Sequence, residues 1–503
     1  MITFLVALVV LVLGFVLYGT LVEKVFGIDP KAETPAITKN DGVDFVPMSG
    51  WRIFLVQFLN IAGLGPIFGA IMGIFFGPAA FLWIVFGTIF AGGVHDYLSG
   101  MLSLRKGGVS LPEIVGSELG SGVRVFMRVL SLVLLLLLTT TFLSGPATLL
   151  QGLAPLGTMP FHGRALPIAW VLIIFAYYAL ATVLPVDKLI GRFYPIFGGM
   201  LLFMGIGIAV VMLAKHGSAM PELTDGLYNR KADGLPIFPM MFVSIACGAI
   251  SGFHGTQSPI MSRCLTNERQ GRWIFYGAMV AEGILALIWA AAAGTFFADP
   301  EQGLDGIGGL QAFASHYDRG TNLPALIVDK VSRSWLGTVG GVLAIIGVIA
   351  APITSGDTAL RSARLIVADF LHIDQKPKMK RLMIALPLFL CVFALVFVNF
   401  EIVWRYFSWT NQTLAMFTLW AGTVWLYKNQ KSEIRNQKYS FGYLIALIPA
   451  LFMTMVSTSY IMIAPEGFRL PEQYRWIGYA IAGVITLACL CGFTFWAKNY
   501  KTK

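Results

Sequence analysis

Apolar stretches of about 20 residues, nearly free of charge, succeed one another along this chain from one end to the other, and few architectures can accommodate them. Each stretch matches the hydrocarbon thickness of a bilayer once it is coiled into a helix. Charged residues make up 12% of the chain and apolar residues 57%. A soluble domain carries about twice that share of charge. Such a chain cannot cover a globular surface with polar groups, which excludes a soluble enzyme, and it is too apolar for disorder. The class that remains is an all-α polytopic membrane protein.

Thirteen spans are predicted, at 2–20, 51–75, 78–103, 122–150, 165–185, 188–214, 237–263, 271–297, 334–362, 382–400, 402–427, 441–463 and 475–497. The first has no basic start and no small-residue cleavage site, so it reads as a retained helix rather than a secretory signal. With the N-terminus outside, 26 of the 36 Lys and Arg fall in or beside loops on the inner side, and Lys376, Lys378, Lys380 and Arg381 form the strongest anchor. That asymmetry predicts an N-out, C-in protein of a bacterial-type inner membrane. It also explains the formal charge of +10 without nucleic acid. The five cysteines lie in or beside apolar segments with no CxxC pair, so neither a metal site nor a disulfide framework is expected.

Two spans break in the middle. The second reads Asn60-Ile-Ala-Gly-Leu-Gly65-Pro66, and the seventh Ala246-Cys-Gly-Ala-Ile-Ser251-Gly252-Phe-His254-Gly-Thr256-Gln257-Ser258-Pro259. In each, Pro stands where a new helix is expected to begin, with Gly65 or Ser258 as N-cap. The plainer alternative is that Gly and Pro merely kink these helices. Backbone freed at membrane depth is tolerated only when buried in protein or lining a cavity. The breaks lie five spans apart, so spans two to six (51–214) and seven to eleven (237–427) form two sets of opposite direction. The remainder, 1–50 and 428–503, holds one extra helix at the start and two at the end. An inverted repeat opening on broken helices marks a transporter whose substrate site is built at the breaks.

Half-helices beginning at Pro66 and Pro259 would aim N–H groups at an anion, and the carbonyls of Asn60 to Gly63 and Gly248 to Ser251 would suit a cation. The candidate substrate residues are therefore Ala62, Gly63, Leu64, Gly65, Pro66, Ser251, Gly252, His254, Thr256 and Gln257, with Asn411 of the eleventh span. Ionisable residues inside spans are functional candidates by default. His254 lies in the second break, where a neutral ring capping loose backbone is the alternative. Glu282 lies mid-span, where function and a structural polar contact compete evenly. Asp357 precedes Arg361 by one turn, a sufficient structural reason for both. With Thr354 and Ser355 it would also make an oxygen-lined cation site. His95 and Asp96 suggest an inner gate or simple interfacial solvation, and being adjacent on a helix they need not act together.

Taken together, these motifs, with Phe90-Ala-Gly-Gly-Val-His-Asp96 and Pro185-Val-Asp-Lys-Leu-Ile-Gly-Arg-Phe-Tyr-Pro195, resemble the carbon starvation protein A family. Ile353-Thr-Ser-Gly-Asp-Thr-Ala-Leu-Arg-Ser-Ala-Arg364 and Ser408-Trp-Thr-Asn-Gln-Thr-Leu-Ala415 are similar to its later motifs, so the resemblance spans 50–427. It implies the LeuT-type five-plus-five repeat and uptake of peptides or pyruvate by proton symport. The chain departs from larger members, which have more C-terminal spans and often Gln where His95 stands. Those departures leave the substrate and the coupling ion open.

The expected function is secondary active transport of a small organic nutrient across the inner membrane, with protons favoured over sodium and no cofactor. Oligomeric state is left open. A channel would need a continuous ring-lined pore. A membrane enzyme would need an HExxH, GxSxG or Cys cluster, none of which occurs. A transporter-like nutrient sensor is the remaining alternative.

Overall fold

The computed structural model describes residues 1–42, 44–161, 164–183, 186–231, 233–298, 309–315, 322–373, 375, 377–429 and 441–501. Lys376, Pro185, the loop 430–440 and residues 502–503, all used in the sequence argument, lie outside the described residues.

Apart from one turn at Pro35–Thr38, the described α-helices begin with α1 (Ile2–Phe26), α2 (Gly50–Ile61), α3 (Gly65–Ile74), α4 (Ala79–Arg105), α5 (Leu111–Leu119) and α6 (Ser121–Leu153). They continue with α7 (Ile168–Val183), α8 (Val186–Lys215), α9 (Ile237–Ser244), α10 (Gly252–Ser262), α11 (Glu268–Ala298) and α12 (Leu310–Ser315). The last five are α13 (Leu323–Leu371), α14 (Lys378–Val396), α15 (Phe400–Lys428), α16 (Leu444–Ile463) and α17 (Arg475–Lys501). The one described sheet is a short antiparallel pair, Met159–Phe161 with Arg164–Leu166. Among the described residues, nine helical segments are long and apolar enough to cross a membrane, ten when α2 and α3 count as one span bent by 49°. The other predicted spans are also helical but shorter or more polar. They are α7, the pair α9–α10, and α15.

The predicted span 334–362 begins earlier than expected. Helix runs from Leu323 and is interrupted at Gly337, whose φ of 69° is a left-handed conformation that suits glycine. The connection 104–121 contains α5, which starts behind Ser110 with Pro112 in its first turn.

Burial sorts the helices. α4 and α11 are enclosed, with most of their apolar windows buried, whereas α1 and α17 turn Leu, Val and Phe outward as a lipid-facing surface does. Helix α10 packs on α4, α15 and α2, and α11 packs on α2 and α3. Helix α13 lies against α6 and α8. The two broken spans therefore sit at the centre of the helix packing.

Candidate functional site

At the first break the chain leaves the helix at Ala62 (φ −77°, ψ 43°) and re-enters it at Gly65 with Leu64 as N-cap. Pro66 is thus the second helical residue, and Gly65 is not the N-cap expected from the sequence. At the second break the helix stops at Ser244 and resumes at Gly252, capped by Ser251 in extended conformation. This corrects the sequence reading, which started the second half-helix at Pro259 with Ser258 as its cap. Pro259 lies inside α10. The reason is physical: a proline late in a short helix removes one donor, whereas Gly248-Ala-Ile-Ser251 lets other helices reach the backbone.

The two breaks touch. A Cβ on Gly65 would collide with the Cβ and sulfur of Cys247, and a Cβ on Gly248 would lie 3.6 Å from the Pro66 Cα. Gly252 is held equally closely against the Asn411 carbonyl of α15. Close approach, rather than a positive φ, is what requires glycine at 65 and 252.

Side chains of neighbouring helices satisfy the freed backbone. Asn411 Oδ1 accepts from the Phe253 N–H at 2.7 Å and from the Ser251 hydroxyl at 3.1 Å, so it caps α10 from another helix. Gln412 Nε2 donates to the carbonyls of Ala246 and Ile250 at 3.3 and 3.2 Å. The Thr88 hydroxyl donates to Gly248 O at 3.1 Å. At the first break the Ser355 hydroxyl donates to Leu59 O at 3.1 Å. Of the carbonyls from Gly248 to Ser251 that the sequence reading offered to a cation, those of Gly248 and Ile250 are thus engaged by protein donors, as expected for backbone buried away from water.

A cluster of ionisable side chains lies beside the second break. His254 Nδ1 is 2.9 Å from Asp96 Oδ2, and its Nε2 is 3.3 Å from Glu282 Oε2, off the line of a good hydrogen bond. His95 Nδ1 is 2.8 Å from Asp96 Oδ1. All four side chains have zero exposure, which removes interfacial solvation as the account of His95 and Asp96. Although adjacent on α4, these two residues do act on one another. Among the described residues no three His, Cys, Asp or Glu side chains converge on a common point as metal ligands would.

Other candidates are placed elsewhere. Thr256 donates to Phe253 O of its own helix, and Gln257 donates to Ser362 on α13, so neither reaches the breaks. Thr354 bonds back to Ala351 O, and the Ser355 hydroxyl lies between that carbonyl at 2.9 Å and Leu59 O of the first broken span at 3.1 Å. Asp357 is buried on the same helix. Sequence reasoning missed Cys247, Thr88 and Gln57, whose Nε2 donates to Ser258 at 3.1 Å and ties α2 to α10. A lone Gln within the apolar run of α2 was the available signal.

A cavity of about 200 Å³ approaches the breaks from the end of the molecule that carries residues 233–236 and 323–324. Its floor includes Ser244 and Ser408, each within a turn of the break or of Asn411, and its rim carries Lys231, Asp233, Glu401 and Arg405. Trp404, Phe407, Phe142 and Phe253 follow one another from that floor to α10 with ring centroids 5.4 to 6.5 Å apart, and close the way down.

An all-helical multi-pass membrane protein with this arrangement shares the fold of known transporters. The manganese transporter of Eremococcus coleocola superposes with a TM-score of 0.54 at 13% identity, covering 92% of this chain and 98% of that one. Residues 1–162 and 158–305 match the carbon starvation protein CstA family, and the chain belongs to that family. An uncharacterized membrane protein of Haemophilus influenzae is 45% identical over 350 residues, which are 61% of this chain and 94% of its own. The pyruvate/proton symporter BtsT of Escherichia coli is 28% identical over 61% of this chain and 51% of its own. The peptide transporter CstA of Campylobacter jejuni is 30% identical over 56% and 48%. The chain thus spans about half the length of these named relatives, which are transporters and not enzymes.

Proposed function

We propose that this chain is a secondary active transporter that takes up a peptide or a pyruvate-like carboxylate across the inner membrane by proton symport. Thirteen spans make up the reading, ten of them forming two inverted sets at 51–214 and 237–427, with the N-terminus outside and the C-terminus in the cytoplasm. The observation that carries it is the contact of two broken helices beside a fully buried cluster of two imidazoles and two carboxylates. Helix ends at Gly65 and Gly252 supply N–H groups and the positive end of a dipole for a carboxylate. Asn411 stands in that position at Gly252, so a substrate anion must displace its side chain or share the N-terminus with it. The mixed-charge cavity above is the way in from outside. His254 and Glu282 are the coupling pair, since a proton shared between them changes the net charge at the breaks by one.

Sodium coupling is the second reading: the Ser355 hydroxyl oxygen and the Leu59 carbonyl oxygen lie 3.1 Å apart, and turning the hydroxyl proton away would offer both oxygens to a cation. Uptake by proteoliposomes discriminates: pyruvate, amino acids and dipeptides are offered under imposed proton or sodium gradients. Accumulation driven by protons alone supports the first reading. Accumulation that needs sodium and ignores a proton gradient refutes it, and no accumulation of any of these solutes leaves the sensor role.

A further inference from the structure

Asp96 and His95 extend the His254–Glu282 pair into a longer chain. Glu282, His254, Asp96 and His95 alternate carboxylate and imidazole, with successive gaps of 3.3, 2.9 and 2.8 Å. Three helices, α11, α10 and α4, contribute them. The far end is informative. His95 Nε2 is buried and has no hydrogen-bond partner among the described residues. It faces Gly255, where a Cβ would lie 3.2 Å from it and 3.0 Å from the Leu111 side chain. Leu111 also lines a crevice of about 20 Å³ with Ser110, Thr256, Arg263 and Ser362, at the end carrying the 104–121 and 263–270 connections. That volume holds about one water. A buried nitrogen without a partner, one side chain away from a water-sized crevice, is poorly explained as packing.

We propose that these four residues form a proton wire from the helix breaks to the crevice, with His95 Nε2 as the atom that releases the proton. The proposal rests on the proton-symport reading. Glu282, once protonated, gives its proton to His254 Nε2 and returns to carboxylate. The imidazolium passes its Nδ1 proton to Asp96 Oδ2. After a flip of the carboxyl group, Asp96 gives that proton to His95 Nδ1, and His95 loses its Nε2 proton to water in the crevice. One proton enters and one leaves. Each ring ends as its other tautomer and resets before the next passage. Gly255 keeps the last step open, because any side chain there would cover Nε2.

Few other titratable groups face the wire. The Cys247 thiol lies beside the His254 ring. Tyr276 of α11 donates to Ile89 O, Arg361 of α13 reaches Ala181 O, Glu113 of α5 pairs with Arg128 of α6, and Lys428 of α15 pairs with Glu118 of α5. The remaining buried titratable groups on these helices are Asp357 and Arg364 of α13, Tyr97 of α4, Tyr427 of α15 and Glu268 of α11, which pairs with Arg105, and Arg263 lies buried just beyond the end of α10.

The test uses the full chain in proteoliposomes with pyruvate and dialanine as probes. In His95→Gln the ratio of proton-driven accumulation to solute exchange is expected to fall at least tenfold, since exchange requires no net proton release. A parallel fall in both would make His95 a gate and overturn the wire. A second readout needs no solute. The infrared carboxyl band that Glu282→Gln removes should exchange with deuterium at least tenfold more slowly in His95→Gln than in the unaltered protein. An unchanged exchange rate overturns the wire whatever the transport result, and so does a Glu282→Gln spectrum with no band missing. Failure of the unaltered protein to accumulate either probe counts instead against the symport reading.

Discussion

Contact between the two breaks is the geometry on which the site depends, and a methyl group at Gly65 tests it. The Cβ of Gly65→Ala would overlap the Cys247 side chain within a fully buried region. Forcing one extra carbon into a packed interior costs about 1–3 kcal/mol. Cys247→Gly removes both colliding atoms and leaves a small cavity of its own, so the informative quantity is the coupling between the two changes. The double variant should recover about 1–3 kcal/mol relative to the sum of the single ones, well outside the ~0.5 kcal/mol scatter of independent sites. Gly152→Ala, in helix α6 with nothing within 4 Å of an added Cβ, is the control. It should be neutral or stabilising by up to about 1 kcal/mol. The assay is thermal unfolding in detergent micelles followed by tryptophan fluorescence, where each kcal/mol moves the midpoint by about 1 °C in a chain of this size. Additive single effects, or a Gly65→Ala protein as stable as the unaltered one, would refute the contact.

Asn411→Ala should lower stability by about 1–3 kcal/mol, because the buried Phe253 N–H loses its acceptor; an unchanged melting midpoint would refute the capping role. Ser355→Ala should leave uptake independent of sodium, and a sodium requirement lost in this variant would instead locate a sodium site at the Leu59 carbonyl. A cysteine at exposed Lys380 should react with impermeant reagents only from the inner face, and labelling of intact cells from outside would reverse the assigned direction of every span. Glu118 is held below the ordinary carboxylate range because its hydrogen bonds to Lys106 and Lys428 outweigh the opposing effect of burial. The stability gap between the unaltered protein and Glu118→Gln should therefore hold from neutral pH down to about 4.3, the ordinary Glu value, and close only below it. A gap that closes at pH 6 would refute the clamp.

The positions of the helices were legible because their cause is local: about 20 apolar residues must cross the bilayer or be buried, whatever else the chain does. Both breaks were legible for the same reason, since glycine and proline act on the backbone where they stand. The start of the second half-helix was not. Pro259 is the stronger local signal, but the break is held by Asn411 and Gln412 about 160 residues away, which no local rule can see. The site shows the same division. His254 and Glu282 attract notice as charges in apolar spans. That His95 and Asp96 join them depends on α4 crossing α10, and a rule about adjacent residues on one helix pointed away from it.

Helix α15 brings Thr410, Asn411, Gln412 and Thr413 into the bilayer in one run, and it is not among the helical segments apolar enough to span alone. Two of those side chains find their partners in the segment between α9 and α10 and in the first turn of α10. The consequence concerns biogenesis: α15 is made after its partners and is expected to enter the lipid phase only once they wait beside the insertion channel. A truncated chain carrying α15 behind an unrelated leading helix should translocate it into the lumen, read by glycosylation of an engineered acceptor site. The same reporter behind α9 to α14 should find α15 integrated. Equal integration in both contexts would mean that the polar run imposes no order on assembly.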